Sequence, residues 1–194
     1  MSTATASCPR EAWEALSERI RACVACPELA TTRTTVVVGQ ASVAARLVLV
    51  GEAPGAQEDQ SGIPFVGRAG QLLDRLLIAA DLDRSRIAVL NTLKCRPPGN
   101  RAPKAGELAR CRGWLTEQLA VLAPELVVAM GSTALTWFHG SGARIGGLRG
   151  APHDVAGYRV LATYHPSAAL RFGPAGAPMA ALREDLVLAA QLLA

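Results

Sequence analysis

Leu47-Val48-Leu49-Val50-Gly51-Glu52-Ala53-Pro54-Gly55 decides how the rest of the chain reads. Four consecutive apolar residues ending in a glycine describe a short strand buried on both faces, as in a parallel sheet covered by helices. The turn that follows sets two glycines and a proline around a carboxylate, Glu52, and its backbone N–H groups can approach a ligand closely. Taken alone, such a turn is an ordinary strand-to-loop connection with solvated acids. Open α/β sheets, however, place their ligands beyond the carboxyl ends of such strands.

Working outward, similar apolar runs at 87–90, 126–130 and 159–163 predict three more strands. Helical periodicity predicts helices at 11–22 and 69–81, with Leu72, Leu73, Leu76 and Leu77 on one face of the second, and 104–122, 132–138 and 179–193 also read as helices. Strands alternating with helices imply a mostly parallel sheet with helices on both faces. Residues 96–103 hold three prolines and a glycine and are expected to be irregular, and the Gly-rich stretch 139–158 is a hairpin or a loop. Residues 1–10 read as a disordered tail and 11–194 as a single domain.

The chain has 194 residues, 50% apolar but only 4% aromatic, so its core must be built from Ala, Val and Leu. The net charge is +4, and because only Lys94 and Lys104 are lysines the positive charge is mostly arginine, whose planar fork suits phosphate. No apolar run is long enough to span a membrane, and residues 1–10 lack a basic start followed by an apolar stretch. A cytoplasmic protein without membrane contact is expected. In a reducing compartment, spaced cysteines favour metal over disulfides.

Four of the five cysteines are spaced in that way: Cys23-x2-Cys26 at the end of a helix, Cys95 after the second strand, and Cys111 in the helix beyond it. Such a set can enclose a zinc ion or a cubane iron–sulfur cluster, and spacing does not separate the two. Cys8 lies apart. Asn91 ends the second strand and offers a paired donor and acceptor that can read one edge of a nucleobase. Phe65, in a Gly- and Pro-rich loop, is a candidate platform for a flat ligand. His165 ends the last strand, where an imidazole can donate to a developing oxyanion. The chain holds neither a phosphate-binding GxxxxGK[ST] loop nor a GxSxG elbow, and Cys23-x2-Cys26 has no HxE partner of a zinc deaminase.

Taken in order, Thr32-Arg-Thr-x-Val-Val37, Gly51-Glu-Ala-Pro-Gly55, Pro64-Phe-Val-Gly67, Asn91-Thr-Leu-Lys-Cys-Arg-Pro-Pro98, Asn100-Arg-x-Pro103 and His165-Pro-Ser167, with the four cysteines, resemble the family 4 uracil-DNA glycosylases, the iron–sulfur branch of their superfamily. The resemblance runs from about Cys23 to beyond His165. It implies a three-layer α/β/α sandwich with a four-stranded, mostly parallel central sheet, and a [4Fe–4S] cluster on Cys23, Cys26, Cys95 and Cys111. It implies hydrolysis of the N-glycosidic bond of deoxyuridine in DNA, leaving free uracil and an abasic site; the expected partner is single- or double-stranded uracil-containing DNA, and a monomer is expected.

In that reading the uracil stacks on Phe65 and is read by Asn91, Glu58 leaves no room for a thymine methyl, and His165 stabilises charge on O2. Glu52, Ala53 and Gly55 line the seat, and Glu52 orients water or stabilises the cationic sugar. The best-studied branch of the superfamily carries an Asp where this chain has Ala53, so that acid is absent. Leu170, Arg171 and Arg101 are the expected DNA contacts, with Leu170 as an apolar wedge. Two rivals remain. A covalent uracil-binding branch carries a His before the fourth cysteine, where this chain reads Asn100-Arg-Ala-Pro-Lys-Ala-Gly106 without one. A non-catalytic nucleic-acid-binding module with structural zinc would use the cysteines and the charge alone.

Overall fold

The structure is a computed structural model that describes residues 8–194. Residues 1–7, most of the expected tail, lie outside the described residues, and Cys8 caps a helix that starts at Pro9. Four parallel strands form the centre of the sheet: β2 (Leu47–Gly51), β3 (Ala88–Asn91), β4 (Leu126–Met130) and β6 (Tyr158–Thr163), in the order β3-β2-β4-β6. These are the expected four. Two short antiparallel strands extend the edges: β1 (Gln40–Ala41) on β3 and β5 (Pro152–Val155) on β6.

Around the expected four-stranded parallel centre these edges make the whole sheet six-stranded and mixed, and the addition has a simple cause. Neither edge strand contains an apolar run, and Pro152, lacking an N–H, suits the start of an edge strand. Ala156 and Gly157, with φ of 53° and 81°, turn β5 back onto β6, so the 139–158 stretch does contain a hairpin.

Alternate residues of each central strand face opposite helical layers. Leu47, Leu49, Val128 and Leu161 pack with α4 (Arg68–Ala79), α8 (Pro166–Phe172) and α9 (Ala177–Gln191). Val48, Val50, Ala129 and Val160 pack with α5 (Ala105–Leu122) and α6 (Ser132–His139). A third apolar cluster joins α1 (Pro9–Arg21) and α2 (Pro27–Thr32) to Leu93, Cys95 and Cys111. A six-residue helix, α3 (Ala56–Ser61), follows the Gly51–Gly55 turn, and α7 (Ile145–Leu148) precedes β5. Among the described residues no helix is long and apolar enough to cross a membrane.

From β2 the chain moves to β3 on one side, then crosses to β4 on the other. The order of strands thus reverses beside β2, and a crevice is expected at their carboxyl ends there.

Candidate active site

A cleft of about 530 Å³ opens at that point, within the usual size range of small-ligand sites. Each central strand delivers one part of its lining: Glu52 after β2, Asn91 at the end of β3, Gly131 after β4 and His165 after β6. Phe65, Ala53, Gly55 and Glu58 complete the wall on the β2 side.

Phe65 is held in a conformation that its own chemistry disfavours. Its φ is 56°, a left-handed backbone that costs a non-glycine residue roughly 1–2 kcal/mol. Three neighbours hold it there. Gly70 lies so close that a Cβ would stand 1.8 Å from the Phe65 carbonyl oxygen, so nothing larger than glycine fits. Arg84 donates to the Pro64 carbonyl at 2.8 Å and the Phe65 carbonyl at 3.4 Å, and it pairs with Asp74 on α4. Glu58 accepts from the N–H groups of Gly55, Val66 and Gly67 at 3.1, 3.0 and 2.8 Å, tying the Gly51–Gly55 turn to the Phe65 loop.

The ring so placed is only 5% exposed and lies over Gly51, where a Cβ would come within 2.5 Å of Phe65 Cζ and 2.6 Å of Asn91 Oδ1. The same ring stands 5.5 Å from that of His165. Asn91 is 3% exposed, and its Oδ1 meets no donor among the described residues. A buried acceptor without a partner costs about 1–3 kcal/mol, which a ligand N–H would recover. The Asn91 main-chain carbonyl, by contrast, is held by the Lys94 ammonium at 2.8 Å.

His165 caps α8. Its Nδ1 accepts from the Ser167 N–H at 3.2 Å and meets Ser167 Oγ at 2.8 Å, so the ring proton belongs on Nε2. Burial pushes its pKa down to about 4 against a small opposing pull from the Glu58 charge, so the imidazole is a neutral N–H donor near pH 7. Gly131, at φ 92°, lets His165 Cβ approach to 3.1 Å of where its own Cβ would be. Across the cleft, Thr133 at the start of α6 donates its hydroxyl to Glu52 and fixes that carboxylate.

Cys23, Cys26, Cys95 and Cys111 line one separate cavity with Arg33, Lys94, Arg110 and Trp114. Among the described residues no three Cys, His, Asp or Glu side chains are grouped as a single-ion site. N–H donors nonetheless converge on the sulfurs: Arg33 reaches Cys95 Sγ at 3.0 Å, Trp114 Nε1 reaches Cys23 Sγ at 3.3 Å, and the Lys94 N–H reaches Cys111 Sγ at 3.3 Å. Burial raises the Cys111 thiol to about 11 and holds Cys95 and Cys26 above the usual range, in each case against nearby positive charge.

The family model described as the uracil DNA glycosylase superfamily matches residues 38–187. The chain belongs to this superfamily. It is 45% identical over 163 residues to a type-4 uracil-DNA glycosylase of Thermotoga maritima, covering 83% of this chain and 84% of that one. A type-4 uracil-DNA glycosylase of Pyrobaculum aerophilum is 39% identical over 164 residues, 80% of this chain and 83% of the relative. A type-5 uracil-DNA glycosylase of the same organism is 31% identical over 201 residues, 86% and 88% of the two chains. The superfamily span takes in every strand-end residue of the cleft but begins beyond Cys23 and Cys26.

Within this superfamily member the expected DNA contacts separate. Arg171 lines the cleft. Arg101 also reaches it, but its guanidinium is engaged by Glu107 at 2.6 and 2.9 Å and lies 3.4 Å from Glu28. Leu170 is partly buried against the core. Sequence reasoning missed Arg84, Gly70 and Thr133. Gly70 alone left a signal, as a glycine inside an amphipathic helix, where it weakens the helix without an evident local reason.

Proposed function

We propose that this chain is a DNA-repair glycosylase that hydrolyses the C1′–N1 bond of deoxyuridine in DNA, releasing free uracil and leaving an abasic site. The observation that carries the reading is the unpartnered, buried Oδ1 of Asn91 in a cleft walled by an aromatic ring and a neutral imidazole. Uracil supplies what is missing, because its N3–H donates to Oδ1 while its O4 accepts from the Asn91 Nδ2. Cytosine presents an acceptor and a donor at those two positions and is refused by both. The target base must leave the stack to reach such a cleft. Phe65 gives it a face, and to Glu58, fixed by three N–H groups, we assign the exclusion of a methyl on C5.

As the bond breaks, the electron pair goes to uracil and positive charge develops on the sugar. The Nε2–H of His165 stabilises the charge on O2, a preorganised contribution of about 3–4 kcal/mol in comparable sites. Glu52, oriented by Thr133, faces the cationic sugar and the water that adds its hydroxyl to C1′. The water's remaining proton balances the uracil anion.

We assign a [4Fe–4S] cluster to Cys23, Cys26, Cys95 and Cys111. The donor set supports this. Lys94 is 1% exposed and has no carboxylate partner among the described residues, so anionic thiolates beside it offset a charge that would otherwise be costly to bury. The cluster, when bound, crosslinks the α1–α2 segment to β3 and α5. The cysteine-based alternative is zinc. A brown protein with a broad visible band supports the cluster, and a colourless one with stoichiometric zinc sinks it.

The activity is tested with a uracil-containing single-stranded oligonucleotide. Strand cleavage that depends on alkali, without a retarded band, is the expected result. A denaturant-resistant retarded band would instead indicate covalent capture, and no change would return the chain to the binding-module reading.

A further inference from the structure

The cavity of the four cysteines is electrostatically one-sided. Among the described residues its lining holds three cations, Arg33, Lys94 and Arg110, and no carboxylate. Its donors are shared out among the sulfurs. Arg33 serves Cys95 at 3.0 Å, Trp114 Nε1 serves Cys23 at 3.3 Å and the Lys94 N–H serves Cys111 at 3.3 Å, while the charge of Arg110 acts on Cys26. Arg33 has a second contact. The other arm of its fork donates to the Cys23 main-chain oxygen at 2.7 Å, so one guanidinium ties the Cys23–Cys26 loop to Cys95. Trp114 is itself fixed, because Arg19 stands over its ring at 5.3 Å and pairs with Glu117. Val24, between the first two cysteines, is 69% exposed, so this loop lies at the surface, within reach of small oxidants.

We propose that Arg33 and Trp114 are positioning residues for the iron–sulfur cluster, which raise its reduction potential and thereby protect it from oxidative loss. The inference rests on the cluster assignment above. A doubly positive [4Fe–4S] core on four thiolates is a dianion, and a one-electron oxidant leaves a monoanion. Cations and N–H donors on the sulfurs stabilise the more negative state more strongly, so they hold that electron on the cluster. The oxidised, triply positive core can shed Fe2+ and leave a singly positive [3Fe–4S] core, so a higher potential slows the loss at its first step. The two side chains divide the work. Trp114 contributes one neutral N–H, whereas Arg33 contributes a charge and also holds the two halves of the ligand set together.

The test compares anaerobically purified wild type, Trp114→Phe, Arg33→Lys and Arg33→Met. Iron and sulfide content, a dye-mediated redox titration and the rate of bleaching by ferricyanide, which is reduced to ferrocyanide, are measured on each. Trp114→Phe keeps a ring but loses the N–H; it should load iron like wild type, titrate at a lower potential and bleach several-fold faster, with the EPR signal of the three-iron product. Arg33→Met should show a lower potential and also a lower iron content. Arg33→Lys should recover the potential, which follows charge, more fully than the iron content, which follows the fork. If Trp114→Phe and Arg33→Lys load iron and match wild type in potential, and Trp114→Phe also matches it in bleaching rate, the proposal is overturned, and any loss of iron in Arg33→Met is then structural alone. Wild-type protein that is colourless and holds stoichiometric zinc overturns the cluster assignment itself, a different failure.

Discussion

The Lys94 ammonium lies 2.8 Å from the main-chain oxygen of Asn91, while the Lys94 backbone N–H points at Cys111 Sγ from 3.3 Å. One buried residue therefore touches both the carboxyl end of β3 and the cysteine cavity. Replacing it with methionine keeps the volume but strands the Asn91 carbonyl and removes the cation beside the sulfurs. A stability loss of about 1–3 kcal/mol is expected from the orphaned acceptor alone. Lys94→Met should therefore melt earlier, lose its visible absorbance faster in air, and excise uracil more slowly. A variant with wild-type melting and wild-type colour would show that Lys94 links nothing.

Gly51 lies beneath Phe65 and Asn91 for a steric reason. Its Cβ would lie 2.5 Å from Phe65 Cζ and 2.6 Å from Asn91 Oδ1, closer than such contacts allow. Gly51→Ala should displace the ring or the amide and lower excision by about two orders of magnitude, the scale of a misplacement near 1 Å. Because the strand pairing of Gly51 with Asn91 involves only the backbone, stability should fall much less. Single-turnover rates and a melting curve on the same sample separate the two. An active Gly51→Ala would mean that the base binds elsewhere.

What the sequence makes legible follows from the physics of each element. The central strands read clearly because each is a run of consecutive apolar residues, the pattern that burial on both faces demands. Glu52 and Asn91 are visible in the sequence because each stands at the end of such a run, and His165 because it follows the last strand by two residues. Helices α2, α3 and α8 are six or seven residues long, too short for a 3.6-residue period to show, and are set by Pro at their first turn or by Glu58 on the Gly55 N–H. Arg84 and Thr133 left no mark, because each acts through one side chain on a residue that is distant in sequence. The different surroundings of Leu170 and its neighbours left no mark either: Ser167, Ala168 and Arg171 line the cleft while Leu170 packs partly against the core.

Arg84 holds Phe65 through the backbone, with contacts to the carbonyls of Pro64 and Phe65 and a pair with Asp74. Without it, the left-handed Phe65 backbone has less to oppose its strain of roughly 1–2 kcal/mol. Arg84→Met should raise KM for uracil-containing DNA several-fold and leave kcat closer to wild type, because in the proposed function the ring orders the bound base rather than the reacting atoms. Arg84→Lys should recover part of the loss, since an ammonium still reaches one carbonyl. A loss confined to kcat would place Arg84 in the chemistry instead.

His165 is expected to set the acid limb of the pH profile. An unperturbed imidazole takes its proton near 6.5, whereas burial holds His165 neutral to about 4. Between those values the unfolded chain binds a proton that the folded chain refuses. Stability is therefore unaffected by this group at neutral pH and declines as pH falls from about 6.5 toward 4. Activity follows a different course over that interval, because the neutral Nε2–H donor is present throughout it. Single-turnover excision should be level in its dependence on His165 from pH 8 to about pH 5 and fall only as the imidazole protonates, while His165→Ala should lose about 10²–10³-fold at every pH in that range. Rates measured across pH for wild type and variant decide the matter: a wild-type inflection near 6.5 that vanishes in His165→Ala would mean that the imidazolium is in use, and the neutral-donor mechanism would fail.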